Sequence, residues 1–198
     1  MNFEYQKAVQ AINFFARQFP GKHISKLHVL KLVFLADRYH LRKYGRLITN
    51  DSYLAMSYGP VASSVKDIAE QSEFLCRTER AYASNFFNKA DPTSHSIRSI
   101  KEYDKTVFSQ TDIEALQFVI NSFRHVSIHE LVDFTHQFPE WKKHENKFTG
   151  VNTRADMNLL DFFEKAPAQV EYCVVPDELV ELNRESFKES VELDKLWG

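Results

Sequence analysis

From Leu27 to Ala36 the chain reads Leu-His-Val-Leu-Lys-Leu-Val-Phe-Leu-Ala. Wound at 3.6 residues per turn, this run is apolar on nearly every side. A helix of that kind belongs at the centre of a domain, with other elements packed round it. Both ends are marked: Ser25 is placed to cap the first turn, and Gly45, just past Tyr44, suits the left-handed residue that closes a helix. Yet Lys31, Asp37 and Arg38 lie within or beside the buried stretch. Buried polar groups cost free energy unless partnered, so each needs a hydrogen bond, a counter-charge or a route to water. Asp37 can accept from the 45–52 turn or pair with Arg38, Lys31 or Arg42.

The rest of the chain offers partners for such a helix. Helical spacing of Ala8, Ile12 and Phe15 predicts a helix over roughly 3–18, stopped by Pro20-Gly21. Tyr53 to Tyr58 reads as a short extended piece. Gly59 breaks it, and Pro60 fits the first position of a helix carrying Val61, Val65, Ile68 and Ala69. The pattern weakens from 74 to 108. Asp91 to His95 is a loop, and Ser96–Ile100 with Tyr103–Phe108 can form a small hairpin. Two capping boxes follow, Thr111-x-x-Glu114 and Ser127-x-x-Glu130, each ahead of apolar residues at helical spacing. A further helix is expected over 156–163, a strand or linker over 170–175, and a last helix from Pro176 to about Leu196. The predicted fold class is mainly α: a compact multi-helix domain with a short β-hairpin or small extended segments. Only five glycines and six prolines interrupt it. The expected organisation is a helical domain over 1–150 and a C-terminal extension over 151–198, packed on it and ending in an acidic helix.

Charge is unevenly spread. Between Lys22 and Arg46 seven basic residues face one acid, whereas 161–198 holds ten acids and four bases. Such asymmetry marks a nucleic-acid patch, with Tyr39 and Tyr44 interleaved for stacking, or simply two solvated faces that attract each other. The opening residues lack a signal-peptide layout, and no apolar run approaches a membrane span, so the expected compartment is the cytoplasm, without membrane association. Cys76 and Cys173 form no C-x-x-C pair and read as two free thiols, a single disulfide being the alternative.

A search for catalytic chemistry returns little. There is no G-x-S-x-G elbow, phosphate loop or dinucleotide fingerprint. His129, Asp133 and His136 share one helical face, but the histidines stand seven apart rather than the four of a zincin pair. The other reading leaves Asp133 exposed and packs His136 near Trp141. We therefore expect no catalytic residue, no cofactor, no metal and no enzyme.

One ordered set of residues is more specific. Lys31-Leu32-Val33-Phe34-Leu35-Ala36-Asp37-Arg38 is followed by Tyr44-Gly45 and Leu47-Ile48-Thr49 leading to Tyr53, then by Tyr58-Gly59-Pro60-Val61. Farther on come Thr135-His136 and Pro139-Glu140-Trp141. Together these resemble the Panacea domain, also called the SocA-like antitoxin domain and found in phage-associated proteins, over roughly 5–145. Phe34 stands where the family often has tyrosine. The resemblance implies an antitoxin that neutralises a cognate protein toxin by direct binding. The alternatives are a proteolytic adaptor that hands the toxin to a protease or chaperone, or a DNA-binding regulator. Lys31, Asp37, Arg38, Tyr44, Gly45, Tyr53, Tyr58, Gly59, Pro60, His136 and Trp141 are the candidate site residues, for the fold or for partner contact. Tyr58 is expected to anchor the turn before Pro60. Because a helix-turn signature is what a fold requires, the contact surface is expected on the less recognisable parts of the chain.

Overall fold

Ser25 does start the central helix. Its side chain accepts from the His28 amide, and the helix closes at Gly45 with φ of 73°. The computed structural model that shows this describes residues 3–90, 95–148 and 153–197. In chain order the α-helices are α1 (Tyr5–Arg17), α2 (Lys26–Tyr44), α3 (Ser63–Glu70), α4 (Arg77–Ser84), α5 (Gln110–Phe123), α6 (Ile128–Thr135), α7 (Pro139–Lys142) and α8 (Asp177–Trp197). The strands are β1 (His23–Ser25), β2 (Tyr53–Met56), β3 (Gly59–Ala62), β4 (Phe87–Lys89), β5 (Ser96–Ser99) and β6 (Arg154–Asp156). The fold is mainly α with small sheets, as the sequence predicts.

Helix α2 is buried from Val29 to Arg42. It packs against α1, α3, α5, α6, α8 and β3. Phe34, at its middle, meets Tyr53, Phe138 and Phe162 edge to face, so three distant segments share one aromatic core. One antiparallel sheet has the order β1-β5-β4, with Ile24 beside Ile97; the other runs β3-β2-β6.

Several local expectations need correcting. Pro60 does not begin a helix; it lies in β3, paired with Ala55 of β2. Helix α3 starts three residues later because Asp51 caps it, accepting from the amides of Ser64 and Val65 at 3.1 and 2.8 Å. Ser96–Ser99 is a strand, but its partners are β1 and β4, while 105–107 forms a 3-10 turn. Of the expected 91–95 loop, residues 91–94 lie outside the described residues. Ser109, not Thr111, caps α5, because Asp112 sits at the third helical position and returns a bond to the Ser109 amide. The Ser127 box forms as read. The helix expected over 156–163 is instead β6 followed by a 3-10 segment, Leu159–Phe163. No strand forms over 170–175. Both cysteines are free.

Candidate functional site

The signature side chains converge on α2, and most of them point inward. Asp37 is fully buried. Its Oδ1 accepts from the amides of Ile48 and Thr49, at 2.7 and 3.2 Å. Its Oδ2 accepts from the hydroxyls of Thr49 and Tyr53, at 2.6 and 2.8 Å. The chain must reverse at Gly45 to bring 48–53 back across the helix, so the glycine and the carboxylate serve one turn. Burial pushes the Asp37 carboxyl up to about 6, and the hydroxyl and amide donors pull it the other way. Asp37 makes no ion pair with Arg38, Lys31 or Arg42 among the described residues. Of the two alternatives, the turn is its partner.

Arg38 pairs with buried Glu140 of α7, Nε to Oε1 at 2.7 Å, and lies over the Phe138 ring. Its Nη2 donates to the Glu164 carbonyl. One turn on, Arg42 Nη1 donates to the carbonyls of Phe163 and Glu164, at 2.6 and 2.9 Å. Tyr44 donates to Glu114 of α5, which also holds Lys43, and Arg46 pairs with Asp112. The basic stretch is thus largely spent on the interior and on α5. It does not present a continuous cationic surface, which removes the observation that favoured nucleic acid.

Lys31, Gly59, Pro60, Thr135, His136 and Trp141 meet at one point. The fully buried Lys31 ammonium donates to the Pro60 carbonyl at 3.0 Å and has no carboxylate partner among the described residues. Desolvation lowers its pKa to about 7. His136 stacks on Trp141 with ring centroids 3.8 Å apart, and the indole N–H donates to the Met56 carbonyl. His129 and Asp133 are both exposed, and no group of three or more His, Cys, Asp or Glu among the described residues is placed to hold a metal ion. Gly59 has φ of 99°, and a Cβ there would lie 2.6 Å from Lys31 Nζ and 2.9 Å from Thr135 Oγ1. Gly59→Ala is therefore expected to lower stability by about 2 kcal/mol or more, through strain and overpacking together. A urea titration of both proteins measures it.

Lys31 also gives a pH signature. Its folded pKa lies below the unfolded value, so the unfolded chain binds the extra proton between about pH 7 and 10.5. The contribution is present above that window and lost as pH falls through it. The wild type is expected to gain stability, relative to Lys31→Met, as pH rises from 7 to 10. Parallel denaturation curves across that range provide the check, and a constant difference contradicts it.

Tyr58 departs from its expected role as an anchor. Its side chain is 67% exposed at the tip of the β2–β3 hairpin. There it rims a groove of about 560 Å3, whose apolar lining includes Leu27, Leu30, Met56 and Val61. Sequence reasoning missed Glu140 as Arg38's counter-charge and Thr135 as the hydroxyl over Gly59. Both lie in the second motif block, and the pairing of each with α2 or β3 has no local signal.

The family model described as "Antitoxin SocA-like, Panacea domain" matches residues 29–142, more than half of the 198-residue chain. The match begins inside α2, so α1 lies outside it, unlike in the 5–145 span expected from the motifs. Comparison with curated proteins and with solved structures gives no significant match.

Proposed function

Because the chain belongs to the SocA-like antitoxin family of Panacea domains, we propose that it neutralises a cognate protein toxin in the cytoplasm by binding it directly, without catalysis. The family match carries this reading. Supporting it, the polar side chains of the signature are mostly committed to one another and to backbone groups, which suits a scaffold that presents a surface. No helix among the described residues is long and apolar enough to cross a membrane.

The division into a domain over 1–150 and a packed extension over 151–198 is part of the same proposal. Its support is that Arg38 and Arg42 reach the carbonyls of 162–164 and that β6 joins β2. The extension then completes the shell of α2.

Co-expression with the product of the adjacent gene tests the function. Restored growth with the toxin recovered intact in a complex is the expected result. Restored growth with disappearance of the toxin in protease-proficient cells favours the adaptor reading. A product that is harmless alone, or that stays toxic beside this protein, overturns both.

A further inference from the structure

Helix α8 has two apolar faces, and only one is used. Val180, Phe187 and Val191 turn toward the body of the molecule, where Phe187 packs on Phe163. On the opposite side Leu182, Leu193 and Leu196 are 66%, 54% and 77% exposed. Glu178, Glu185 and Glu189 lie on that same side, also exposed. The order Glu178, Leu182, Glu185, Glu189, Leu193, Leu196 steps by three or four residues each time, so at about 100° per residue all six fall within an arc of about 80°. None of the three glutamates is in an ion pair among the described residues. Glu185 and Glu189, four apart, repel each other. Glu178 sits in the first turn, where its charge suits the helix dipole, but the rest of this face exposes leucines to water and sets like charges together.

We propose that the outer face of α8 is a docking surface for a partner protein whose own surface combines apolar pockets with lysines and arginines. The leucines are spaced as anchors for a groove, and the carboxylates between them select the sign of its rim. Charge argues against a second copy of α8 as the occupant, since antiparallel or parallel pairing of this face would oppose carboxylate to carboxylate. The proposal rests on the antitoxin reading in taking the toxin as that partner. It places recognition on a helix outside the matched 29–142 stretch. Recognition could then change from one chain to another without disturbing the Asp37 and Arg38 networks.

The experiment uses the full chain and two variants, L182S/L193S/L196S and E185K/E189K, whose altered side chains are exposed and leave the packed face intact. Titration calorimetry with the adjacent gene product is expected to show about a tenfold or greater loss of affinity for the serine variant. For the lysine variant it should show a loss together with a flatter salt dependence. Thermal melting should match the wild type in both. Equal affinity of the variants and wild type overturns the docking face while leaving the antitoxin reading intact. If the wild type does not bind that product, the antitoxin reading fails, and a second titration decides the face. The probe is then a synthetic amphipathic helix of leucine and lysine, expected to bind the wild type and not the serine variant; absent or equal binding overturns the proposal. Sedimentation that shows a wild-type dimer lost in the serine variant assigns the face to self-association and also overturns it.

Discussion

Replacing Asp37 with alanine is expected to lower stability by about 3–5 kcal/mol, a large share of what a domain of this size possesses. The reason is the concentration of donors on one carboxylate. Two backbone amides and two hydroxyls converge on it, from Ile48, Thr49 and Tyr53. Alanine strands all four in the interior and leaves a cavity. Asparagine is expected to cost far less, about 1–2 kcal/mol. Its oxygen can keep the two amide donors, while its NH2 group donates to the Thr49 and Tyr53 hydroxyls, which reverse and accept. The pH dependence separates the two effects. The folded carboxyl titrates near 6, above its unfolded value, so its contribution is fully present at low pH and lost as pH rises through about 6. The advantage of wild type over Asp37→Asn should narrow between about pH 4 and 6. Guanidinium unfolding at pH 4, 5, 6 and 7 measures both quantities; an Asn variant as weak as the Ala variant refutes the hydroxyl reversal.

This hub was legible in the sequence because its parts are close along the chain. The apolar run from Leu27 to Ala36, the cap at Ser25 and the left-handed Gly45 define α2 without any tertiary information. A carboxylate eight residues before the glycine is within reach of the returning turn, one of the two partnerships the sequence leaves open and the one the structure shows. Gly59-Pro60 looks locally like a helix start, yet Pro60 lies in β3. What keeps it extended is pairing with β2 and the packing of Lys31 and Thr135 against Gly59, and Thr135 arrives from α6, far along the chain. Helix α4 was invisible for a different reason: of its residues only Ala83 is buried, and Cys76 caps it through sulfur, so neither periodicity nor a usual cap announces it. The acceptors that hold Arg42 are carbonyl oxygens of 162–164. Every residue carries a carbonyl, so composition says nothing about them.

The same asymmetry bears on function. Residues that carry the family resemblance are legible because the fold fixes them, and they are for that reason mostly out of a partner's reach. Of the candidate site residues, Lys31, Asp37, Arg38 and Tyr53 are buried, whereas Tyr58 stands in solvent beside a groove. Two surfaces remain open: that groove, whose lining includes the motif residues Tyr58 and Val61, and the outer face of α8, whose side chains belong to no motif.

Glu140→Ala is expected to be the second most damaging change, at about 3–5 kcal/mol, because it leaves Arg38 charged and buried without its counter-ion. Both side chains are fully buried, and Arg38 Nη1 and Glu140 Oε2 already lack hydrogen-bond partners among the described residues. A pair satisfied this incompletely gains less from its attraction than an ideal one, and burial pushes the Glu140 carboxyl up even with Arg38 beside it. The double variant Arg38→Met/Glu140→Leu should therefore recover at least half of the loss. It removes both charges, fills the volume, and deprives the Glu164 carbonyl of only one of two donors, since Arg42 still reaches it. Arg38→Met alone should resemble Glu140→Ala, as it buries an unpaired carboxylate. Urea curves for the wild type, Arg38→Met, Glu140→Leu and the double variant close the cycle, with a coupling of about 4 kcal/mol or more expected from single losses of about 3–5 kcal/mol each; single losses that simply add in the double variant would refute it. The same double variant separates fold from recognition. If the pair serves only to lock α7 to α2, the refolded double variant binds the partner as the wild type does, and a selective loss of binding with stability restored would instead show that the buried pair positions the contact surface.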